Sequence, residues 1–562
     1  MERKGLALAL PFVLLTSVTW AQLAPPDAGT LMQQLPRPEP LRRPGLAPTP
    51  EATAQPARRP TGPQVRVQRF KLQGNTLLSS EQLVATLAPF VQQTLNLTQL
   101  EQAAQAVARR YREDGWVVSA YLPAQDITQG EVLIQIEEAR LGALRFNVAE
   151  GLRAPPAQAR RYFDALLVPG QPLNADDVER ARTLGGELLG MDIGTRFKKS
   201  QTVGATDVDV ELRDKPALAM DLFADNGGTR ATGSQRLNAL LEWRNPLGSG
   251  DLWNMAFMHS QGADSARVAL GVPVGPDGWR VGASVSRYSY RLISPEFSAL
   301  NFTGNVDTLG LEASYPLLRQ RSSNLSFLLN ADHKQLDSRS GGSIASRYAT
   351  QSLTMALQGR QSDDWLGQGG VNFGQLGWSS GRVNLNGSPT QATDALGPHT
   401  EGHFNKLRAQ LSRSQNLSAN WSLQLSHTQQ WASKNLDSSE RFFIGGPDSV
   451  RAFPLSEAGG AEGRLSTAEL QWRLDPALTL IGFYDHGQVR VNVNPYTSAP
   501  MPNHIRLEGA GLGLQWRAFN GLAIKATWSR RLNENPHPNT SGKDQDNTLL
   551  RDRIWLSVLY SF

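Results

Sequence analysis

Residues 510–529 read AGLGLQWRAFNGLAIKATWS, and this stretch decides the fold. Apolar residues alternate with polar or small ones from Ala510 to Arg517, and again from Leu522 to Ser529 after an Asn-Gly turn. A period of two residues places the apolar side chains on one face of a β-strand and the others on the opposite face. The stretch therefore predicts two β-strands, each with one apolar and one polar face.

The same alternation recurs throughout the chain after Pro216. It is clear in residues 279–286 and 421–426, and turns rich in Gly, Asn, Asp and Ser separate the segments. Residues 216–562 are long enough for roughly 16 strands of about 10 residues with their turns. An apolar outer face and a polar inner face suit a barrel in lipid, where every backbone group must find a partner. We predict an all-β transmembrane barrel of about 16 antiparallel strands.

A soluble β-sandwich would also alternate apolar and polar residues. Two features favour the barrel. Trp and Tyr recur near the ends of predicted strands, where membrane interfaces place them. The chain also closes on an alternating strand, residues 554–562, whose last residue is the aromatic Phe562. We therefore predict Phe562 to be a C-terminal barrel signature.

The first residues indicate export from the cytoplasm. Arg3 and Lys4 precede an apolar run over 6–18, and small residues stand at the positions that determine cleavage, so residues 1–21 are predicted to be a signal peptide. Later stretches lack the 18 or so uninterrupted apolar residues of a transmembrane helix. With 40% hydrophobic residues and a mean hydropathy of -0.36, hydropathy alone would suggest a soluble protein.

Composition excludes several functional classes. The chain has no cysteine, which rules out a disulfide scaffold, a thiol enzyme and a cysteine-based metal site. The histidines show no metal-binding spacing, and a phosphate-binding Gly-rich loop is missing. A net charge of +5 is too small to indicate nucleic acid. We expect no catalytic residues, no metal, no cofactor and no nucleic-acid partner, and we expect the protein not to be an enzyme.

Three further segments precede the barrel, and the first two differ in composition. Residues 22–35 contain a short predicted helix that Asp27 caps. Residues 36–63 are rich in Pro and Arg, which is typical of an extended linker. The third segment, residues 64–215, has the pattern of two small α+β domains in tandem.

The first of these domains is predicted over residues 64–139 in the order β-α-α-β-β. A strand over 65–72 precedes a helix that Ser79 and Gln82 cap, with an apolar face formed by Leu83, Val84, Leu87 and Phe90. Thr98 and Glu101 are predicted to cap the second helix. Strands follow over 117–122 and 131–138.

The second domain, residues 140–215, repeats this order more weakly. The expected elements are a strand over 141–148, a helix over 157–166, a helix capped by Asn174 and Asp177, and strands over 195–199 and 206–212. On the barrel that follows, Arg280, Arg517 and Lys525 lie on predicted inner faces, where they either line a pathway or are solvated.

This order of segments resembles that of the two-partner secretion transporters, the TpsB family, which belong to the outer-membrane superfamily of the barrel-assembly protein BamA. In this resemblance the two small domains are POTRA-like domains. The resemblance covers essentially the whole chain after residue 21.

Two motifs carry the resemblance. Residues 441–453 read RFFIGGPDSVRAF, which is similar to the family's sixth-loop signature GGxxSVRG followed by Phe or Tyr, with Ala452 in place of Gly. Residues 483–487 read FYDHG and resemble the FxDxG signature of a late barrel strand. The resemblance implies an inward loop lock formed by Gly445, Gly446, Val450, Arg451, Ala452 and Phe453. It implies a barrel-wall partner formed by Phe483, Asp485 and Gly487, with Arg451 paired to Asp485.

The resemblance implies an outer-membrane protein translocase of a Gram-negative cell with POTRA domains in the periplasm. Its partners would be an unfolded exoprotein with a large repetitive β-rich body (an adhesin or haemolysin), outer-membrane lipids and, during biogenesis, the barrel-assembly machinery. A BamA-type assembly factor remains an alternative, although two POTRA-like domains favour secretion, and a porin is a weaker alternative.

The family also implies that residues 28–35 plug the barrel at rest, the alternative being a disordered leader with no role. In that arrangement Leu31, Met32 and Leu35 pack on the wall, and Gln33 and Gln34 meet lumen water.

Overall fold

The structure of the protein is a computed structural model that describes residues 25–35, 64–320, 322–499, 501–518 and 520–562. The predicted signal peptide and the Pro-rich linker lie outside these residues. Within the described ranges, the helices are all too short or too polar to cross a membrane.

The N-terminal segment begins with a short helix, α1 (Ala28–Leu31), which continues as a 3₁₀ turn over Met32–Gln34. Asp27 caps α1 as predicted, because its Oδ1 accepts a hydrogen bond of 2.9 Å from the Thr30 N–H. Residues 27–35 are called the plug segment below.

Module 1 is the first α+β unit and has a three-stranded sheet in the order β2-β5-β4. Two helices pack on this sheet. Its elements are β1 (Gln64–Arg66), β2 (Arg69–Gln73), α2 (Ser80–Leu87), β3 (Thr94–Asn96), α3 (Leu97–Glu113), β4 (Val118–Tyr121) and β5 (Glu131–Glu138).

Three predictions for module 1 were wrong in detail. The predicted strand 65–72 is two strands, because the chain changes partners: β1 pairs with β3, and β2 pairs in parallel with β5. The cap of α3 is Asn96 with Gln99, two residues before the predicted pair, since Asn96 Oδ1 accepts from Gln99 N–H at 2.9 Å. Val84 is 47% exposed and does not belong to the apolar face.

Module 2 has the same layout, with a sheet in the order β6-β8-β7. Its elements are β6 (Arg140–Val148), α4 (Pro156–Asp164), α5 (Ala175–Leu188), β7 (Met191–Lys199) and β8 (Ala205–Asp214). The predicted strand 195–199 begins four residues earlier, at Met191. The cap of α5 is Asn174 alone, whose side chain accepts from the Asp176 N–H at 2.8 Å.

Sixteen antiparallel strands then close into a barrel, as predicted. The barrel strands are β9 (Leu218–Asp225), β10 (Arg236–Arg244), β11 (Leu252–Ser260), β12 (Ala263–Val274), β13 (Trp279–Arg291), β14 (Thr303–Arg319), β15 (Ser323–Ser340), β16 (Ser343–Asp363), β17 (Gly370–Asn384), β18 (Gly402–Asn416), β19 (Trp421–Ala432), β22 (Glu462–Arg473), β23 (Leu478–Arg490), β24 (His504–Arg517), β25 (Leu522–Arg531) and β26 (Asp552–Ser561).

Loops carry the remaining elements. Two short helices lie between barrel strands, α6 (Pro295–Ser298) before β14 and α7 (Gln391–Leu396) before β18. A small hairpin of β20 (Phe442–Ile444) and β21 (Ala458–Gly460) lies in the loop between β19 and β22.

Alternation along the strands separates the two faces of the barrel wall. On β24 and β25, Leu512 is 63% and Trp528 40% exposed, whereas the neighbouring Ser529 is fully buried. Leu512 lies directly opposite Trp528 in the ladder, so the two share the outer face. The apolar outer face predicted from residues 510–529 is thus present.

The first and last strands close the barrel with a short ladder. β26 pairs with β9 over five positions, Ser557–Ser561 with Asp221–Asp225. The side chain of Asn226 extends this seam, since its Oδ1 accepts from the Leu556 N–H at 2.8 Å and its Nδ2 donates to the Ile554 carbonyl at 3.0 Å.

Module 2 contacts one end of the barrel through arginine side chains. Arg280 on β13 donates to the Leu188 carbonyl at 2.9 Å, at the C-terminus of α5, where a cation is favoured by the helix dipole. Arg153 of module 2 donates to the Arg244 carbonyl at 3.0 Å. Arg280 is therefore not simply solvated, which was one of the two interpretations from sequence, because its guanidinium joins the module to the barrel. This end of the barrel is the one expected from the sequence to face the periplasm.

Candidate functional site: the inward loop and its two anchors

The loop between β19 and β22 folds into the barrel, and its residues 433–461 are called the inward loop. Its hairpin β20-β21 forms a buried cluster with Val450, Ala452 and Phe453, together with wall residues of β23 and β24. These three side chains of the loop are fully buried. A loop with a core of this kind has a fixed conformation, so the polar groups on it are held in defined positions.

Arg451 forms the first anchor of this loop, and it meets Asp485 on β23. Nη2 donates to Oδ1 at 2.7 Å and Nε donates to Oδ2 at 2.8 Å, while the backbone N–H of Arg451 also donates to Oδ2 at 3.1 Å. The Asp485 side chain is fully buried and that of Arg451 is 5% exposed. A planar guanidinium that meets a carboxylate with two parallel hydrogen bonds fixes both distance and direction.

Further wall residues complete this anchor. The free Nη1 of Arg451 donates to Glu469 Oε1 on β22 at 2.7 Å. The ring of Phe483 lies under the guanidinium, with 3.4 Å between Cζ and the ring centroid. Thr467 donates to Asp485 Oδ1 at 3.1 Å. The buried charges are therefore paired and hydrogen bonded, as burial requires.

The glycine of the wall motif leaves space for the loop. A Cβ atom on Gly487 would lie 2.7 Å from Val450 Cγ2, and one on Gly509 would lie 2.6 Å from the Cβ of Ala452. Gly509 thus accommodates the methyl group that Ala452 adds to the usual motif. Ala452 is not among the described residues with a positive φ, so this turn does not need glycine at that position.

Gly445 and Gly446 form the bend at the other side of the loop. Their φ values are +101° and +103°, a conformation that L-residues rarely adopt. The Gly446 N–H donates to the Phe453 carbonyl at 3.0 Å, which closes the segment between them.

The carbonyl of Arg451 accepts from Ser529 Oγ and from Trp555 Nε1, each at 2.7 Å, and these two hydrogen bonds attach the loop to β25 and β26.

Glu440 forms a second anchor, which the sequence did not reveal. It ends a 3₁₀ turn over Ser438–Glu440 and is 4% exposed. Its carboxylate accepts from Lys334 Nζ on β15 at 2.8 Å and from Lys406 Nζ on β18 at 2.6 Å. This anchor fixes the start of the inward loop to β15 and β18, which are different wall strands from those that bind Arg451.

The plug segment lies against this second anchor. Gly29 of α1 touches Ser438 and Ser439 so closely that a Cβ atom would clash with both. Ala28 and Leu31 are buried with Tyr288, Tyr290 and other wall residues. The plug segment therefore packs between the wall and the inward loop.

Gln34 corrects the prediction that the glutamines of this segment meet lumen water. It is 1% exposed, its Nε2 donates to the Tyr288 hydroxyl at 3.0 Å, and its Oε1 accepts from Thr232 Oγ1 at 3.1 Å. Its carbonyl accepts from Arg236 Nη1 at 2.6 Å. The Thr229 N–H also donates to Oε1 at 3.3 Å. Two wall residues, Tyr288 and Arg236, and two residues of the loop between β9 and β10 thus bind one glutamine of the plug segment.

Phe562 lies apart from the loop, at the end of the chain beside β9. It is 60% exposed, its N–H donates to the Met220 carbonyl at 2.9 Å, and its ring packs edge-on against Tyr560.

Among the described residues no cluster of His, Asp and Glu is arranged to hold a metal ion.

Comparisons with known proteins agree with this architecture. The family described as "Haemolysin secretion/activation protein ShlB/FhaC/HecB" matches residues 204–516, and "POTRA domain, ShlB-type" matches residues 65–139. The heme/hemopexin transporter protein HuxB of Haemophilus influenzae (strain 86-028NP) is 24% identical over 99% of this chain and 98% of its own. The outer membrane transporter CdiB of Escherichia coli O6:K15:H31 is 27% identical over 81% of this chain and 78% of its own.

A solved structure of CdiB from Escherichia coli has the same fold, with a TM-score of 0.67 at 21% identity, and covers 92% of this chain and 93% of its own. The resemblance inferred from the two motifs is confirmed by the family match. That family consists of secretion channels and is not an enzyme family. The chain belongs to the haemolysin secretion/activation family of ShlB, FhaC and HecB, and it is an outer-membrane transporter that secretes an exoprotein by the two-partner route.

Proposed function

We propose that the cargo is an unfolded exoprotein with a large repetitive β-rich body, that module 2 captures it, and that the plug segment and inward loop close the pore at rest. The observation that carries the gating part is the burial of both segments inside the barrel, with Leu31 2% and Arg451 4% exposed. The relative HuxB is named a heme/hemopexin transporter protein. This relative is 24% identical to the chain, so it supports the proposal that the cargo is an exported protein but does not indicate what that protein binds.

Capture by strand addition is the mode that the modules favour. An extended chain that pairs with an open sheet edge gains main-chain hydrogen bonds with little demand on its own sequence. In module 2, β7 pairs only with β8 among the described residues, so its other edge has no partner strand. Near the start of this edge the Ile193 carbonyl accepts from Arg182 Nη1 at 3.5 Å. In contrast, segment 170–171 covers the start of β6, where the Leu141 N–H donates to the Gln171 carbonyl at 2.9 Å.

Charged side chains on β7 leave this edge open. Lys198 pairs with Asp209 and Arg196 pairs with Glu211, both acids on β8, so the two cations lean back over the sheet. Phe197 is 47% exposed on the same strand and offers an apolar contact for an incoming chain. The edge of β7 therefore has free backbone groups beside an exposed aromatic ring.

The closed pore must then open for the cargo. Short helices have little stability of their own, so α1 is held by its contacts with the wall and the inward loop, and cargo that replaces these contacts releases it. The sequence has no nucleotide-binding loop, and folding of the exoprotein outside the cell provides the drive. Outer-membrane lipids surround the apolar wall, and the barrel-assembly machinery inserts the barrel during biogenesis.

Site-specific crosslinking tests the capture step. A photoreactive residue in place of Phe197 on the open edge should crosslink to a cargo fragment, whereas one in place of Val148, an equally exposed residue at the end of β6, should not. Equal crosslinking at both positions would refute the assignment to β7.

Deletion of residues 27–35 tests the closed state. In planar bilayers the deletion should raise the mean conductance or the open fraction, while the barrel remains inserted. Channel traces identical to those of the full chain would show that the plug segment does not close the pore.

A further inference from the structure

The outer wall of the barrel carries an unexplained row of polar side chains. His333, Gln351, Arg382 and His403 pair in sequence across the four adjacent strands β15, β16, β17 and β18. Residues that lie directly opposite in a ladder point to the same face of the sheet. These four side chains therefore form one continuous row, called the outer row below.

The outer row faces the membrane side of the wall. Leu309 on β14 continues the row next to His333 and is 52% exposed. Two positions further along the strands, the wall presents Leu311 and Leu353, which are exposed and can only contact lipid in a closed barrel. The next row on these strands contains Met355 and Trp378 and is also apolar and exposed.

The position along the strands places the outer row at the external edge of the apolar belt. Arg319, at the other end of β14, contacts Glu187 of module 2 at 3.2 Å. Leu309 is ten residues away from it, which corresponds to about 33 Å along a strand. Strands of such barrels tilt by about 40°, so this distance corresponds to about 25 Å along the membrane normal, which is the height of the apolar belt. The outer row therefore lies at the external edge of the belt, where the headgroups of the outer leaflet begin.

A groove runs along this part of the wall. It has a volume of about 470 Å³ and is lined by Leu309, Leu311 and Leu353 together with the outer row. An apolar floor with polar groups at one end matches a lipid whose acyl chain lies along the wall. Four strands at about 4.8 Å spacing make the row about 14 Å wide, which is wide enough for an extended headgroup.

The charge at this place is not neutralised by the protein. Arg382 is exposed, and within the described ranges its side chain makes no hydrogen bond or ion pair. Asp337 is already paired, with Arg339 at 3.1 Å and with Arg347 at 2.7 Å. Asp332 also borders the groove, but it alternates with His333 along β15, so its side chain points to the inner face, near Lys334 and Glu440. A free guanidinium flanked by imidazoles and an amide suits a phosphate group, which accepts several hydrogen bonds at once.

We propose that the outer row binds the phosphorylated headgroup of an acylated glycolipid of the outer leaflet, with Arg382 on the phosphate and an acyl chain in the groove below. The ligand class follows from the three observations together: an apolar groove, a cation at its external end and a location at the outer face. This site is separate from the pore, so it does not depend on the proposed cargo or gating.

Lipid retention by the full chain in detergent tests this site. Diphosphorylated lipid A, its dephosphorylated form and phosphatidylglycerol are each added to delipidated protein, and bound lipid is counted by native mass spectrometry. We expect retention of diphosphorylated lipid A to fall about fivefold in Arg382→Gln, the loss of one charge-assisted contact. The matched control is Arg464→Gln, which removes an exposed arginine that donates to Gln488 on another part of the wall.

The outcomes separate the possible occupants. The proposal is supported if Arg382→Gln loses lipid A while Arg464→Gln retains it and both variants stay heat-modifiable and secrete normally. Equal retention by the two variants overturns it. Equal binding of dephosphorylated lipid, or of phosphatidylglycerol, also overturns it, because the row would then not recognise the phosphorylated glycolipid. A dimer that excludes lipid would assign the groove to a second copy of the chain and would overturn it as well.

Discussion

The two anchors of the inward loop bind it to the barrel wall by different chemistry. At one anchor, Arg451 engages Asp485 through two side-chain hydrogen bonds and one from its backbone. At the other, Glu440 lies between the point charges of Lys334 and Lys406. Both carboxylates are buried. The close fit at the first anchor surrounds the cation itself, with Phe483 under the guanidinium and Gly487 against Val450, whereas the close fit at the second is between Gly29 and the turn that carries Glu440.

The two anchors differ in how strictly each one fixes the orientation of the loop. A guanidinium fork accepts few orientations of its partner, so its neighbours must also be of fixed size and shape. An ammonium group on a flexible stem tolerates many orientations and imposes no such requirement. We infer that the Arg451 anchor sets the conformation of the loop, whereas the Glu440 anchor holds its start in place beside the plug segment.

Loss of the arginine should have the largest effect. Arg451→Ala leaves Asp485 buried without its cation, which costs roughly 3–5 kcal/mol in a dry site and less in a wet lumen. Secretion should fall sharply, while the barrel remains membrane-inserted and heat-modifiable. Arg451→Lys is the matched control and should restore secretion only in part, because one ammonium group cannot replace the two-bond contact. Normal export by the alanine variant would refute the role of this anchor.

Removal of the charge on Glu440 should have the next largest effect. Glu440→Gln leaves two lumen lysines without their carboxylate, so the channel should become more selective for anions, as a shift in reversal potential would record. Loosening of the 3₁₀ turn should also raise the open fraction, since Gly29 of the plug segment packs on it. Combining Glu440→Gln with Lys334→Gln should reverse part of the selectivity change. An unchanged reversal potential would contradict this second anchor.

A methyl group added to the wall at the Arg451 anchor should reduce secretion less than loss of either charge does. Gly487→Ala would place a methyl group 2.7 Å from Val450 Cγ2, and overpacking of this kind costs roughly 1–3 kcal/mol. We expect a moderate loss of secretion that Val450→Ala partly restores. The control is Gly482→Ala on the same strand, where a Cβ atom would meet nothing within 4 Å. If both glycine variants behave alike, the close fit at Gly487 is not required.

The smallest effect is expected for the plug segment alone. Gln34→Ala removes the contacts of the amide with Tyr288 and Thr232 but keeps the backbone contact with Arg236. Lost hydrogen bonds of this kind cost roughly 1–3 kcal/mol when a partner stays buried, so the open fraction should rise by less than on deletion of the whole segment. Gln33→Ala, at a less buried position, should raise the open fraction by less than Gln34→Ala does. A larger effect of the Gln33 variant would indicate that Gln34 does not hold the plug.

Local sequence predicted the fold well where the pattern depends on neighbouring residues. The closed barrel of 16 strands follows from the alternation, and the cap of α2 by Ser79 follows from the Ser-x-x-Gln spacing. Errors arose where a distant segment decided the outcome. The predicted strand 65–72 is divided because its first part pairs with β3 and its second part pairs with β5. These partners lie about 30 and 60 residues further along the chain.

The candidate site shows the same difference between features that short motifs indicate and features that distant segments decide. Arg451 and Asp485 were named from two short motifs, and the structure brings them together. Glu469 and Glu440 carry no motif, and Glu440 finds its lysines at separations of 106 and 34 positions. A signal for Gln34 was equally missing, since nothing local distinguishes it from Gln33.

The sequence by itself determined the class of the wall and the two modules, because periodicity and caps are properties of neighbouring residues. The arginine–aspartate pair was implied by the resemblance of two motifs to those of a known family. Tertiary structure alone decided the second anchor, the burial of Gln34 and the outer row on four strands. Each of these arises from the register of strands far apart in the chain, and register is set only when the barrel closes and the loop packs inside it.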